Sequence, residues 1–289
     1  MPTKVEKDQV TGTETTGHEW DGIKELNTPL PKWWLYSWWA SIVWAAVYFV
    51  LYPAIPYGSG YTKGVLGFSQ RVQHEAEMKA ARAGQAKYLD RIQAASPAEI
   101  LKNKELLAFA RAGGKTSFAD NCAPCHGTGG GGRPAFPVLA DDDWVWGGKI
   151  EDILKTIQVG VRSGHDDERS GEMPAFGADD TLKPAQIAAV TGYVLSLSGK
   201  QAKPAATADG KKIYAQNCAA CHGETGKGNP ELGAPNLTDA IWLYGGTAKA
   251  VSAQVTKPRH GVMPSWSGRL DANTIKMLAV YVHSLGGGK

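Results

Sequence analysis

Two copies of Cys-x-x-Cys-His restrict this chain more than any other feature: Cys122-Ala-Pro-Cys125-His126 and Cys218-Ala-Ala-Cys221-His222. They use all four cysteines of the 289 residues. Thiols three residues apart on one helical turn face the same side, so each pair can form thioethers with the two vinyl groups of a flat macrocycle. The histidine that follows is placed to ligate the iron. The spacing is the attachment signal for c-type haem, and two copies call for two covalently bound haem c groups. A zinc site would need both pairs to converge across 96 residues, farther apart than in the usual zinc modules. A redox dithiol has no use for the trailing histidine.

The likeness between the copies extends past the cysteines. Gly114, Lys115, Phe118 and Asn121 match Gly210, Lys211, Tyr214 and Asn217 at an offset of 96. Pro137, Leu139, Asp141, Trp144, Gly147 and Gly148 match Pro235, Leu237, Asp239, Trp242, Gly245 and Gly246 at an offset of 98. Met173-Pro174-Ala-Phe176 and Met263-Pro264-Ser-Trp266 follow, each leading into an apolar stripe of helical period. The stripes are Ile187, Val190, Val194 and Leu197, then Ile275, Leu278, Val282 and Leu285. Each repeat is under ~100 residues, small for a self-sufficient core, and a buried haem would add the missing apolar mass.

The order within each repeat resembles a class I cytochrome c domain: helix, Cys-x-x-Cys-His, long loop, Met-Pro, helix. The resemblance implies a mostly α chain with two tandem domains, residues 106–200 and 201–289. It also implies that Met173 and Met263 supply the sixth iron ligands opposite His126 and His222. A soft thioether favours reduced iron and suits electron transfer. The proline after each Met keeps the loop extended. Two pairings stay open: each Met caps the haem of its own repeat, or the two loops are exchanged. His260 and His165 are the rival ligands by proximity to the Met-Pro motifs. Met277 reads as core filler, and His18, His74 and His283 as ordinary surface or packing residues.

Residues Trp33 to Tyr57 carry no charge, and Trp33 to Tyr52 are apolar enough to cross a bilayer. Trp33, Trp34, Trp38 and Trp39 suit an interfacial belt, and Pro53 and Pro56 mark the end. Thirty-two residues precede the span, which argues for a retained anchor over residues 33–54 instead of a cleaved signal peptide. Lys24 and Lys32 before the span balance Lys63 and Arg71 after it, so charge is silent on orientation. Attachment of c-type haem takes place outside the bacterial cytoplasmic membrane. This places residues 1–32 in the cytoplasm and both haem domains in the periplasm. Residues 55–105 form a helical linker, in which Ser96-Pro97-Ala98-Glu99 is a helix start with a capping box. The net charge of +3 and the interspersed acids argue against a nucleic-acid partner. Gly129 to Gly132 lack the Lys-Ser/Thr ending of a phosphate loop and read as part of the haem loop.

The span has no acidic residue and no histidine, so the chain offers no site for oxygen reduction or proton transfer within the membrane. No residue is assigned a catalytic role; the chain relays electrons. As a whole it resembles the di-haem subunit III of cbb3-type cytochrome c oxidases. The likeness includes the stretch Gly17-His18-Glu19-Trp20-Asp21-Gly22-Ile23-Lys24-Glu25-Leu26-Asn27 and the Trp-rich span. The resemblance implies partners in the membrane, the catalytic oxidase subunit and a mono-haem cytochrome c subunit. It also implies an electron donor, either a cytochrome c or the quinol–cytochrome c oxidoreductase. A tethered di-haem shuttle, or the cytochrome subunit of another respiratory complex, is the alternative; two Met-Pro motifs argue against a di-haem peroxidase.

Overall fold

The computed structural model describes residues 4–199 and 204–286. They divide into two compact units, one ending at Arg82 and the other starting at Ala83. The chain is mostly helical.

In the first unit, β1 (Thr15–Trp20) and β2 (Ile23–Leu26) form an antiparallel hairpin with Trp20 opposite Ile23. Its two-residue turn, Asp21-Gly22, has positive φ at both positions (49° and 84°), the geometry that follows the twist of paired strands. Buried Thr15 accepts a hydrogen bond from the Glu6 amide at 3.0 Å, and Lys24 pairs with Glu6. Helix α1 (Lys32–Leu51) is 20 residues, about 30 Å at 1.5 Å per residue, the thickness of a hydrocarbon core. None of its residues is buried, and its rings stack along the helix, as Tyr48 does on Tyr52 at 4.8 Å. The helix stops at Leu51, three residues short of the expected 54. The chain then turns through β3 (Pro56–Tyr57) and β4 (Gly60–Tyr61), and the Val65 and Leu66 amides bond the Val50 and Leu51 carbonyls at 2.9 and 3.1 Å. These bonds satisfy carbonyls that a helix end leaves open. Gly64 (φ 71°) permits the return, since a Cβ there would stand 2.4 Å from the Leu51 oxygen.

Helix α2 (Gln70–Ala94) carries the chain into the second unit, followed by α3 (Pro97–Lys102) and α4 (Lys104–Asn121). The capping box at Ser96 and Glu99 is present, with Pro97 in the first turn. The chain continues through α5 (Ala123–His126), a 3-10 turn at Thr128–Gly130, α6 (Ile150–Val159) and α7 (Pro184–Leu197). Then come α8 (Pro204–Asn217), α9 (Ala219–His222), α10 (Ala248–Thr256) and α11 (Ala272–His283).

The folded cores do not follow the repeats. Helix α11, from the end of the second repeat, packs on α4 and α6 of the first; α7, from the end of the first, packs on α8 and α10 of the second. One core gathers Leu106, Phe118, Ile150, Ile153 and Ile157 with Ile275, Leu278 and Val282. The other gathers Ile187, Val190 and Val194 with Tyr214, Val251 and Val255. The two tandem repeats meet near residue 200, and each packed core takes helices from both of them. The crossings match each other. A Cβ on Gly114 would stand 2.2 Å from the Met277 oxygen, and one on Gly210 2.2 Å from the Ala189 oxygen. Beside them Phe118 meets Tyr281 at 5.3 Å and Tyr214 meets Tyr193 at 5.2 Å. The first stripe and the second as far as Val282 face these cores, and Met277 is buried core.

The linker is likewise not a free spacer: Ile92 and Ile100 are fully buried in the first core. Lys276 of α11 caps the end of α2, donating to the carbonyls of Ile92, Gln93 and Ala95 at 3.1, 2.8 and 2.9 Å. A cation at a helix C-terminus satisfies open carbonyls and opposes the helix dipole. Lys276→Met keeps the apolar stem and removes these bonds. It is expected to weaken this docking by about 1–2 kcal/mol, speeding proteolysis around residues 83–95 by about tenfold. An unchanged cleavage rate would show that Ile92 and Ile100 alone hold the segment.

Candidate haem-binding sites

Each Cys-x-x-Cys-His motif forms a single helical turn directly after an N-terminal helix. In the first, the Cys125 and His126 amides bond the Cys122 carbonyl at 3.1 and 2.9 Å; in the second, Cys221 and His222 bond Cys218 at 3.2 and 2.9 Å. The turn brings both sulfurs of a pair and the histidine to one face. Before haem is attached, burial, with a neighbouring thiol adding to it, pushes the Cys122 and Cys218 thiols up to about 11. The partner cysteines, Cys125 and Cys221, are exposed.

The chain leaves each turn through a glycine in the left-handed region, Gly127 (φ 75°) and Gly223 (φ 77°). It then folds back so that the Gly132 amide bonds the His126 carbonyl at 2.7 Å and Gly228 bonds His222 at 2.8 Å. This return brings a proline carbonyl to each imidazole. His126 Nδ1 lies 3.1 Å from the Pro137 oxygen, and His222 Nδ1 3.0 Å from the Pro235 oxygen. A carbonyl only accepts, so Nδ1 carries the proton and donates, leaving the Nε2 lone pair free for a metal. Burial lowers the pKa of both rings, which favours the neutral form a ligand needs.

The exchange of helices carries the methionine loops with it. Met263 packs against the core that holds Cys122, Ala123, Leu139 and Trp144. Met173 packs against the core that holds Cys218, Ala219, Leu237 and Trp242. Each methionine thus borders the same core as the Cys-x-x-Cys segment of the other repeat. The end of α6 aligns the Met263 loop: Val161 and Met263 exchange two main-chain hydrogen bonds of 2.9 Å, and the Trp266 amide bonds the Ile157 carbonyl at 3.1 Å. The end of α10 does the same for the Met173 loop, where the Gly177 and Ala178 amides bond the Thr256 carbonyl at 3.2 and 2.9 Å. His260 is exposed, and His165 Nδ1 accepts the Asp167 amide at 3.0 Å.

The residues present fit a haem in a further respect. Trp144 Nε1 is buried with no hydrogen-bond partner among the described residues, and a carboxylate at the rim of a haem would satisfy it. Sequence reasoning matched Trp144 with Trp242 and Pro137 with Pro235 but gave them no task. Their recurrence at one offset was the available signal. The two haem loops also bring acids together: burial, then Asp239, Asp141 and Asp142, push Asp143 up to about 6.

Three family models match the chain. The N-terminal domain of cytochrome oxidase-cbb3, FixP, matches residues 12–59; cytochrome c matches 112–198; and cytochrome c oxidase, cbb3-type, subunit III matches 205–282. The chain is 56% identical to the cbb3-type cytochrome c oxidase subunit CcoP of Azospirillum sp. (strain B510), over 98% of both chains. It is 54% identical to the subunit FixP of Bradyrhizobium sp. (strain ORS 278), over the full length of both. Identity to FixP of Bradyrhizobium diazoefficiens is 53%, again over both full lengths. The first family model covers the hairpin and α1, so the tail before the anchor is part of what the relatives share. Two tandem cytochrome c domains imply two covalently bound haem c groups. With these likenesses over its whole length, the chain belongs to the CcoP/FixP family, the di-haem subunit III of cbb3-type cytochrome c oxidases.

Proposed function

We propose that this chain is the subunit through which a cbb3-type cytochrome c oxidase takes up electrons, and that its two haems are held by exchanged ligand sets. Cys122, Cys125, His126 and Met263 would hold one haem. Cys218, Cys221, His222 and Met173 would hold the other. The observation that carries this reading is that each histidine turn shares a core with the other repeat's methionine. When bound, each haem supplies a one-electron iron couple. The chain's part is to saturate the iron with an imidazole and a thioether, which favours the reduced state and closes the metal to other ligands. The Pro137 and Pro235 carbonyls fix the two imidazole rings, so little reorganisation accompanies electron transfer.

Electrons pass from a donor cytochrome c, or from the quinol–cytochrome c oxidoreductase, through this chain. They continue to a mono-haem cytochrome c subunit and the oxygen-reducing, proton-pumping catalytic subunit. The chain sits in a bacterial inner membrane. Residues 1–32 are cytoplasmic, 33–54 are the single-pass anchor, 55–105 are the periplasmic linker, and both haem repeats are periplasmic. Haem attachment outside the cytoplasmic membrane supports this orientation, and membership of the family supports the partners.

Three experiments test the reading. The first removes one haem to read the other. In a Cys218→Ala/Cys221→Ala background, Met263→Ala is expected to lower the remaining potential and open that iron to carbon monoxide, while Met173→Ala leaves it unchanged. The opposite result would establish ligation within each repeat, and a response to His260→Ala instead would restore that residue as a ligand. The second is topological: a reporter active only in the periplasm should work when fused after Lys289 and fail when fused before Trp33. Reversed activities would refute haem attachment on the periplasmic side.

The third exchanges the anchor. Nine aromatic residues between Trp33 and Tyr52 offer a rigid surface to neighbouring membrane helices. Replacing residues 1–57 with an unrelated single span should leave both haems in place, yet weaken assembly with the catalytic subunit and slow cytochrome c-dependent oxygen consumption. Full activity in the chimera would identify a tethered shuttle, for which membrane proximity is sufficient.

A further inference from the structure

The two methionine loops converge where α6 ends. Gly160 leaves the helix in the left-handed region (φ 73°), and a Cβ there would stand 2.4 Å from the Met263 oxygen. Val161 pairs with Met263 through its main chain. The next residue, Arg162, has φ 49°, where side chains other than glycine are uncommon. Its half-buried side chain reaches both loops at once. Nε donates to the Gly261 carbonyl at 2.8 Å, and Nη1 donates to the Gly171 carbonyl at 2.6 Å. Gly261 lies two residues before Met263, and Gly171 lies two residues before Met173.

Nearby Arg169 serves as a contrast. It pairs with Asp152 at 3.5 Å and donates to the Thr156 hydroxyl at 2.8 Å, and neither bond touches a methionine loop. Among the described residues no carboxylate forms an ion pair with Arg162. Its positive charge is therefore directed at the two carbonyls, and a donor that is charged makes a stronger hydrogen bond than a neutral one. Gly171 has no room to shift away: a Cβ there would stand 2.0 Å from the Leu232 oxygen and 3.1 Å from the Trp146 ring.

We propose that Arg162 is a positioning residue common to both axial methionines, one guanidinium that fixes the approach to Met263 and to Met173 and so ties together the ligation of the two haems. This rests on the assignment of both methionines as axial ligands. The planar fork of arginine suits the task, because two donors on one rigid group hold two acceptors at a set separation. Lysine offers a single tetrahedral head on a flexible stem and would hold them less well.

The test uses the full chain in detergent with both haems attached. Three properties are read at each haem: the Met–iron charge-transfer band, the potential, and the fraction that binds carbon monoxide. Arg162→Gln is expected to raise the carbon monoxide-binding fraction about tenfold at both haems, the effect of losing one charged hydrogen bond at each loop. Both potentials should fall with it. Ser265→Ala removes a 2.6 Å bond from the Ser265 hydroxyl to the Gln158 carbonyl, which steadies only the Met263 loop, and should affect one haem. Arg162→Lys should return both haems part of the way to the parent.

A response to Arg162→Gln at one haem only, or at neither, overturns the proposal. So does a Ser265→Ala variant that moves both haems as much as Arg162→Gln does. If Arg162→Gln fails to retain two haems, the decision passes to Arg162→Lys, where a change at both haems upholds the proposal and a change at one or none overturns it. A parent protein without a Met–iron band at both haems would refute the axial assignment itself, which is a separate outcome.

Discussion

Six residues separate α7 from α8, and the packing of these two helices on each other organises the cytochrome part. Helices joined by so few residues tend to pack side by side. In each repeat the first and last helices are built to cross closely, with a glycine at the crossing and an aromatic pair beside it. With α7 on α8, α4 packs on α11. The crossing chemistry is the same in both pairs, so the exchange costs little in contact quality. The methionine loops sit just before these last helices and are delivered with them to the opposite cores.

The pinned imidazoles make the exchange useful. Each histidine is held by a proline carbonyl of its own repeat, while the methionine loop that joins its core comes from the other repeat and is held by the end of α6 or α10, in the histidine's own repeat. Both sides of each candidate iron site are thus fixed by backbone hydrogen bonds, and backbone bonds depend little on side-chain rotamers. An electron carrier benefits from such stiffness, since ligands that stay in place between oxidation states keep the energy of reorganisation small.

Much of this was legible in the sequence, for physical reasons specific to each element. Cys122, Cys125 and His126 had to share one turn because helical geometry leaves no other arrangement, and the same holds for Cys218, Cys221 and His222. The stripes ending at Leu197 and Leu285 announced core helices, and Ser96 with Glu99 announced the start of α3. The hairpin at residues 15–26 was harder to see. Asp21-Gly22 is a strong turn signal, but the flanking strands are polar and show no apolar alternation. The exchange was invisible for a different reason: both pairings bury the same stripes, so periodicity cannot choose between them. Arg162 escaped notice because its role lies in contacts with Gly261 and Gly171, one of them 99 positions away.

The exchanged helices also bear on how the molecule is made. A chain threaded through the membrane from its N-terminus presents the first histidine turn long before Met263 has been synthesised. On the proposed exchanged ligation, the first haem could be attached at that stage, but its second ligand would follow only with the Met263 loop. The second site has the reverse history, since Met173 emerges before Cys218. A chain interrupted after the first repeat would therefore carry a haem with one face uncovered, and a methionine with no haem to cover. On this assignment the second centre has all its residues once α10 has emerged, whereas the first waits for the Met263 loop and α11.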